Sequence, residues 1–440
     1  MGAPGYLAYL GRSLYRHLQN LSPSREIRAA LKLRVDSPTR ERGATTIGTR
    51  QLLVDVSTLA NTDAKTGIQR VTKAILSQWL AHPPAGFAVR PVRATRFQTF
   101  QYCAPDLGPA SPGSPGLDGP HGEVQVGAGD VFIGLDLTAH ILPHHHRQLE
   151  RWKFNGVKIF FVVYDLLPTM HPEWFTDSGV KAQRRWLRTL AIYADGATCI
   201  SQTVAGELSA WLEKTHGPLK PPVAVRAFPL GAQIGAVTAK EDAAVNALLA
   251  DQLAVIGAGP AVLMVGTIEP RKGYALVLST FEKLWQAGSN IKLVIVGKAG
   301  WKVDALIARL ATHAEAGRRL FWIENGRDEL LCALYKKCTG LLMASEGEGF
   351  GLPIVEAARF GLPVLARDLP VFREIAGDAA SYFSTTGPEG LAREISAWVK
   401  TIENGSVIRP EGMKVSSWEE SAKALLAAVG INHRATQSHE

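Results

Sequence analysis

Residues 344–361 read ASEGEGFGLPIVEAARFG. Two carboxylates, Glu348 and Glu356, bracket seven residues that include Gly349, Phe350, Gly351, Leu352 and Pro353. Glycine tolerates positive φ and lets a ligand approach the backbone. Proline suits the first turn of a helix, where its missing N–H leaves no bond unmade. Ile354, Val355 and Ala358 supply an apolar face, and Gly361 can close the helix in the left-handed region. With the apolar run Leu341–Met343 upstream, the stretch predicts a short buried strand, a glycine loop and a helix N-terminus. Such a terminus offers free N–H groups and partial positive charge to a phosphate. Glu348 is expected in the loop and Glu356 in the first helical turn, both reaching one crevice. Carboxylates beside an anion site are unfavourable unless they accept hydrogen bonds from hydroxyls, as on a sugar or ribose.

The same unit recurs upstream. Val262–Val265 runs into Gly266-Thr267-Ile268-Glu269-Pro270-Arg271-Lys272-Gly273 and a helix over Ala275–Gln286. Two cations at a helix N-terminus oppose the macrodipole. A bound diphosphate would resolve this; a solvated charged turn is the structural alternative. The loop is not G-x-G-x-x-G, which removes the main support for a dehydrogenase. The strand Lys292–Val296 ends at Gly297-Lys298, a glycine suited to lie under a nucleobase or ribose. Leu320–Ile323 exits through Glu324-Asn325-Gly326-Arg327 into a helix over Asp328–Lys337, and Pro363–Ala366 is the last clear inner strand.

In the first half, Gln51–Val56 reads as a strand and Ser57–Thr66 as a loop. Thr66 with Gln69 forms a capping-box pattern that starts a helix running to about Leu80. The Gly67-Ile68-Gln69-Arg70 start fits a phosphate or substrate cradle, or a plain tight turn with Arg70 on the surface. Asp130–Leu135, Lys158–Val163, Thr198–Ser201 and Val223–Ala227 are further strands. Tyr164, Asp165 and His171 follow the second of these, at a strand's C-terminal end, where ligands bind in open α/β sheets. Asp165 suits hydroxyl binding or general-base duty, or else caps the following turn; His171 suits loop packing. His140, His144, His145 and His146 pose a metal site against a solvated helix end, without helix-spaced carboxylate partners.

Alternation of strands with helices in both halves predicts an α/β chain of two Rossmann-like doubly wound domains facing a cleft. The division expected is a basic extension 1–48, a domain 49–235, a linker 236–259 and a domain 260–415. The 440 residues and 46% hydrophobic content suit two cores. No stretch is long and apolar enough to span a bilayer, and no secretory signal is evident. Cys103, Cys199, Cys332 and Cys338 have neither paired nor zinc-type spacing, consistent with reduced thiols in a cytoplasmic chain. The net charge is +8, and residues 1–48 hold eight Lys/Arg against three acids. Leu7, Leu10, Leu14, Leu18 and Leu21 fall near helical spacing there. That segment is either a basic amphipathic helix on an anionic membrane surface or an extension packed on the body of the protein. Nucleic acid is disfavoured, with no RNP pattern or zinc finger. Residues 104–129 have loop composition.

The bracketed glutamates, with Asp328-Glu329-Leu330 before them and Gly361-Leu362-Pro363-Val364 after, resemble the E-x7-E signature of retaining GT-B glycosyltransferases, in particular family 4. The resemblance runs from Leu52 to Val429 and is stronger in the second half. Thr66–Arg70 is similar to the first loop of a subset of the family. The 164–174 segment resembles "HD-L-x-P … HPE", with Tyr164 where many members carry a histidine that contacts the donor sugar. Phe228-Pro229-Leu230-Gly231 resembles the "P-N-G" close of the first domain, with Leu230 replacing Asn. The resemblance implies transfer of a hexose, with retention, from a nucleoside-diphosphate sugar to a glycan or polyprenyl-diphosphate-linked acceptor in surface-polysaccharide synthesis. GDP-mannose is the first donor implied; UDP-sugars, GDP-fucose and dTDP-rhamnose are alternatives. Arg271 and Lys272 would neutralise the diphosphate, Glu348 would orient the sugar and Glu356 would bind the ribose. Gly266, Gly297, Asn325, Gly349, Phe350, Gly351 and Leu352 would line the donor. Gly67, Gln69, Arg70, Tyr164, Asp165 and His171 would face the acceptor side. The resemblance implies no metal and no cofactor, a cytoplasmic location at the inner membrane face, and a helix over 416–430 that returns to the first domain. A non-catalytic scaffold, an epimerase or a phosphorylase of the same fold is the competing reading.

Overall fold

A computed structural model describes residues 49–62, 66–104, 122–217, 222–234, 250–324 and 326–431. The basic extension 1–48, most of the Pro/Gly-rich segment, Asn325 and residues 236–249 lie outside them. The described chain divides into two compact units.

The first unit comprises the chain up to Thr169, Ser178–Pro229 and the segment from Trp418. Its strands are β1 (Arg50–Asp55), β2 (Phe87–Arg93), β3 (Gln101–Tyr102), β4 (Val131–Gly134), β5 (Lys158–Val163), β6 (Gly196–Cys199) and β7 (Ala224–Ala227). They form one sheet in the order β3-β2-β1-β4-β5-β6-β7, parallel except for the edge pair of β2 and β3. The inner strands are apolar runs, as burial on both faces of a parallel sheet demands. Leu53, Phe132, Trp152, Phe161 and Trp186 form the core. Strand β2 carries Pro91, a residue that argues against a central strand. Its partner there is the two-residue β3, and the Pro91 carbonyl still accepts from the Cys103 N–H at 3.0 Å.

The helix Gly67–Ala81 starts at the Thr66/Gln69 capping box. Residues Ser57–Asn61, expected as loop, are helical. Two carboxylates at strand ends hold that short helix: Asp55, two residues before it, accepts at Oδ1 from the Ser57 N–H at 2.9 Å, and Asp136, 77 positions from its target, accepts at Oδ2 from the Leu59 N–H at 2.7 Å. The second cap comes from outside the local sequence. The helix Trp418–Ala428 also lies in this unit, where Trp79 Nε1 donates to the Ala422 carbonyl at 3.2 Å.

The second unit comprises Met170–Asp177 and Leu230–Ser417. Strands β8 (Ala261–Val265), β9 (Lys292–Val296), β10 (Leu320–Ile323), β11 (Gly340–Met343), β12 (Val364–Arg367) and β13 (Ser381–Phe383) form a parallel sheet in the order β10-β9-β8-β11-β12-β13. Val262, Phe281, Leu293, Leu342 and Trp398 lie in its core. Within the linker 236–259, read from sequence as partly helical, Ala250–Gly257 is a helix whose Leu253 and Ile256 are buried. The segment Met170–Asp177 falls here although the chain around it belongs to the first unit. Trp301 Nε1 donates to the Trp174 carbonyl at 2.8 Å, Lys302 Nζ to the Glu173 carbonyl at 3.0 Å, and the rings of Phe175 and Trp301 lie 5.7 Å apart. Among the described residues no helix is long and apolar enough to cross a membrane, and the four cysteines are buried and form no disulfide.

Candidate functional site

Strands β8 and β11 are neighbours, so the loops leaving their C-terminal ends lie side by side. The loops join through backbone: the Glu346 N–H donates to the Arg271 carbonyl at 2.7 Å. Gly273 has φ 74°, and a Cβ there would collide with the carbonyl oxygen of Ala344. Both the conformation and the space exclude a side chain. Gly273→Ala is therefore expected to cost about 3 kcal/mol or more of unfolding free energy and to lower nucleotide affinity with it. Chemical denaturation of the two proteins measures the first, nucleotide titration the second.

This junction brings together four charged side chains from two distant segments. Arg271 donates from Nε to Glu269 Oε2 at 3.0 Å, and from Nη1 to the Gly347 carbonyl at 2.9 Å and Glu348 Oε2 at 3.0 Å. Lys272 Nζ pairs with Glu348 Oε1, which also accepts from Ser345 Oγ at 2.8 Å. The Glu348 side chain is 8% exposed, those of Arg271 and Lys272 14% and 15%. Burial alone would raise the Glu348 pKa, but the charges of Lys272 and Arg271 and the hydrogen bonds win and hold it at about 2. Burial, with the Arg271 charge beside it, pushes the Lys272 ammonium down. The sequence offered a ligand as the reason for two cations at a helix start. The fold supplies Glu269 and Glu348 as their partners, and both Glu348 oxygens face cations and a hydroxyl donor. Two cations and two carboxylates in one buried nest can re-pair around an incoming anion without leaving a net buried charge.

Gly351, at φ 99°, starts the helix Leu352–Arg359 beside this nest, and its Cβ position would lie 2.8 Å from the Phe372 ring. Phe350 is buried next to it. Glu356 is the fifth residue of that helix, so it sits in the second turn and not in the first as expected. It is 2% exposed and accepts at Oε2 from the Tyr335 hydroxyl at 2.7 Å. The Tyr335 ring stacks on Phe360 at 5.4 Å. Gly266, at φ 138°, donates its N–H to the Val296 carbonyl at 2.9 Å and accepts from the Tyr274 hydroxyl at 2.7 Å. A Cβ on Gly297 would collide with the Gly266 carbonyl. Strand-end packing alone thus requires that glycine, whatever lies above it. Asn325 is outside the described residues.

The first unit places its candidates less openly. Tyr164 is buried; its hydroxyl donates to the Leu135 carbonyl at 2.7 Å and lies 3.5 Å from Thr72 Oγ1, while burial pushes its pKa up. Gly67 opens its helix, and Gln69 is buried, completing the capping box and donating from Nε2 to the Thr62 carbonyl. Arg70 follows, half-buried. Asp165 Oδ1 accepts from the Leu167 N–H at 3.1 Å, the turn-capping alternative. His171 stacks on Trp174 at 4.1 Å and falls in the second unit. Of the histidines, His145 is buried with Nε2 2.6 Å from the Thr95 carbonyl. Among the described residues, no group of three or more His, Cys, Asp or Glu side chains could hold a metal ion.

Sequence reasoning missed three carboxylates here. Asp55, at the end of β1, is fully buried among Ser57 and Thr138. Asp136 follows β4, the neighbour of β1, and among the described residues its Oδ1 has no hydrogen-bond partner. Glu207 lies on the helix Gln202–His216. Burial, reinforced by the Asp165 charge, pushes Glu207 up to about 7. An Asp closing an apolar strand was the available signal for Asp55; nothing local marks Glu207. Burial, with Asp136 adding to it, pushes Asp55 from 3.8 up to about 7. Because this folded-state value is raised, the stabilisation it gives is complete below about pH 3.8 and is lost as pH rises through about 7. Asp55→Asn is expected to flatten that decline and to be the more stable protein above neutral pH, by on the order of 3 kcal/mol. Unfolding midpoints of both proteins across this window measure it.

Residues 250–409 match the family model for glycosyl transferases group 1. The chain is 41% identical over 385 residues to the serotype-specific mannosyltransferase WbdA of Escherichia coli, an alignment covering 87% of this chain and 47% of that protein. It is 35% identical over 164 residues to the O-antigen chain mannosyltransferase B of Escherichia coli, covering 36% of this chain and 42% of the relative. The chain thus spans about half the length of the WbdA proteins it matches. Among solved structures, Anabaena Alr3699/HepE in complex with UDP-glucose superposes with a TM-score of 0.54 over 87% of this chain and 97% of that one, at 14% identity. A sucrose-phosphate synthase from Thermosynechococcus elongatus superposes with a TM-score of 0.52 over 87% and 95%, also at 14% identity. The two parallel-sheet Rossmann-like units are thus those of the GT-B fold.

Proposed function

We propose that this chain, whose residues 250–409 carry the group 1 glycosyl transferase match, transfers a hexose from a nucleoside-diphosphate sugar to a glycan or polyprenyl-diphosphate-linked acceptor in surface-polysaccharide synthesis. The donor is GDP-mannose, a choice supported by the 41% identity to a mannosyltransferase. The observation that carries the reading is the buried nest of Arg271, Lys272, Glu269 and Glu348 beside the Gly351 helix start.

Charge develops on the diphosphate as the bond from the anomeric carbon to the phosphate oxygen breaks. Arg271, Lys272 and the first N–H groups of the helix Leu352–Arg359 stabilise that charge, preorganised in a buried site. The arriving diphosphate takes over cations that Glu348 holds in its absence. Glu348 then accepts from sugar hydroxyls and sets the orientation of the anomeric carbon. Glu356 serves the ribose, with Tyr335 fixing its carboxylate. Gly266, Gly297, Gly349, Phe350 and Leu352 line the donor, and Asn325 contributes backbone to the base. Glu348 and Glu356 are then the pair of an E-x7-E, family 4 site, and the sugar keeps its anomeric configuration. Transfer needs no metal and no cofactor. Gly67, Gln69, Arg70, Tyr164, Asp165 and His171 serve the acceptor side, with Asp165 the hydroxyl-binding group. The division of labour follows 49–235 for acceptor and 260–415 for donor. Residues 1–48 contact the anionic inner face of the cytoplasmic membrane.

The test is incubation with GDP-mannose, UDP-glucose, UDP-GlcNAc, GDP-fucose and dTDP-rhamnose and a mannose-terminated acceptor, without added metal. The reading expects a mannosylated product whose new linkage has the anomeric configuration of the donor, seen by NMR. Turnover of a UDP-sugar or deoxysugar donor alone would move the donor assignment. Nucleotide binding with no transfer from any donor would favour a scaffold subunit.

A further inference from the structure

We infer that Arg367 is a positioning residue for the donor sugar: from a third strand it holds the backbone of residues 344–348, and so fixes where Glu348 stands. The inference rests on the donor-nest reading and adds to it a residue outside the loops that leave β8 and β11.

Arg367 ends β12, the strand next to β11 on the side away from β8. Met343 pairs with Ala366, so Ala344 and Arg367 leave their strands side by side. The Asp368 N–H then turns to the other neighbour and donates to the Phe383 carbonyl at 2.8 Å. The Ala344 carbonyl accepts from a side chain, Arg367 Nε, at 3.2 Å. The same guanidinium donates from Nη1 to the Thr385 carbonyl at 3.4 Å and lies 5.1 Å from the Phe383 ring centroid. It bridges the chain leaving β11 to the chain leaving β13, across the end of its own strand. A planar fork suits two carbonyls placed this way; an ammonium is a single point charge.

The carbonyl that Arg367 grips is a junction. Ala344 is buried, and its carbonyl oxygen is the atom against which Gly273 packs. It is thus pressed from the β8 side and held from the β12 side. The residues after it are tied one by one to the nest. Ser345 Oγ donates to Glu348 Oε1 at 2.8 Å, the Glu346 N–H to the Arg271 carbonyl at 2.7 Å, and the Gly347 carbonyl accepts from Arg271 Nη1 at 2.9 Å. These three bonds run within the β11 loop or between it and the β8 loop. They can shift together when a diphosphate draws the cations away from Glu348. The Arg367 bond anchors that group to the rest of the sheet. A nucleotide meets Arg271 and Lys272 directly, on their own loop, whereas the sugar depends on where the 344–348 backbone sets Glu348. Loss of Arg367 should therefore show in transfer and not in nucleotide affinity.

The test uses the full chain, GDP-mannose and a mannose-terminated acceptor. Arg367→Lys keeps the charge and an aliphatic stem over Phe383 but not the fork. Its kcat is expected to fall about 10- to 100-fold, the cost of a displacement of about 1 Å at a reacting centre, with GDP affinity within about twofold of the wild type. In a Glu348→Gln background the same substitution should cost less than about twofold more, because the carboxylate it positions is already gone. A strut that serves only the fold would cost the same in both backgrounds. Arg367→Ala gives an independent reading: ethylguanidinium should restore part of its turnover, and ethylammonium none. Arg367→Lys turning over like the wild type, a loss that multiplies fully with that of Glu348→Gln, an equal loss of GDP affinity, or no rescue by ethylguanidinium would each overturn the inference and leave the donor nest standing. A wild type that binds no GDP and transfers from no donor would instead overturn the donor reading, and this inference with it.

Discussion

Arg271→Ala/Lys272→Ala is expected to lower donor turnover at least about 10³-fold and to abolish stabilisation by GDP. Removing a single preorganised donor to a developing negative charge costs about 10² to 10³ in rate, and these two side chains meet on one carboxylate, so their effects will not simply add. The same change leaves Glu348, 8% exposed, without its cations. Burial then dominates, its carboxyl takes up a proton, and the double variant is less stable as well as inactive. A third substitution separates these effects. Adding Glu348→Gln removes the stranded charge, so the triple variant should regain most of the lost stability while nucleotide binding stays absent. Recovery of both together would mean that the cations act only as structural partners of Glu348.

Glu348→Gln alone makes the sharper claim. Glu348 titrates at about 2 against an ordinary value of 4.5. Its folded-state pKa is depressed, so the stabilisation it gives is complete above about pH 4.5 and is lost as pH falls through about 2. The glutamine variant should be less stable at neutral pH by on the order of 3 kcal/mol, and the difference should close on acidification. Function should split in two. Transfer falls by 10² or more, since no carboxylate remains to hold the sugar hydroxyls. GDP, which has no sugar, binds as well or better, because an anion now meets two cations with one fewer competing carboxylate. A structural role for Glu348 alone would weaken GDP and donor sugar alike.

The reach of the sequence can be judged at particular residues. Apolar runs such as Lys158–Val163 and Lys292–Val296 became strands over the same residues because parallel strands buried on both faces leave little ambiguity. The helix Asp328–Lys337 and the Thr66/Gln69 cap also formed where the local pattern placed them. What local spacing could not show was which distant charges would meet. Lys272 and Glu348 are 76 positions apart, and nothing in either segment states that they pair. The tension of cations at a helix start was legible, but its resolution by Glu348 needed the adjacency of β8 and β11. Glu356 was misplaced by one turn because Leu352, not a later residue, begins the helix. The helix at Ser57–Asn61 was missed because its caps come from Asp55 and Asp136, one of them 77 residues from its target. The assignment of Met170–Asp177 to the second unit rests on the grip of Trp301 and Lys302, again invisible along the chain.

The most direct test of the donor nest is thermal unfolding with GDP, UDP, dTDP and GMP, without added metal, for the wild type and Arg271→Ala/Lys272→Ala. A ligand at about a hundred times its dissociation constant adds about 2.7 kcal/mol, a rise of roughly 5 to 10 °C for a domain of this size. The account predicts such a rise with GDP, a much smaller one with GMP, and none in the double variant. No rise with any diphosphate, or an equal rise in the double variant, would contradict it.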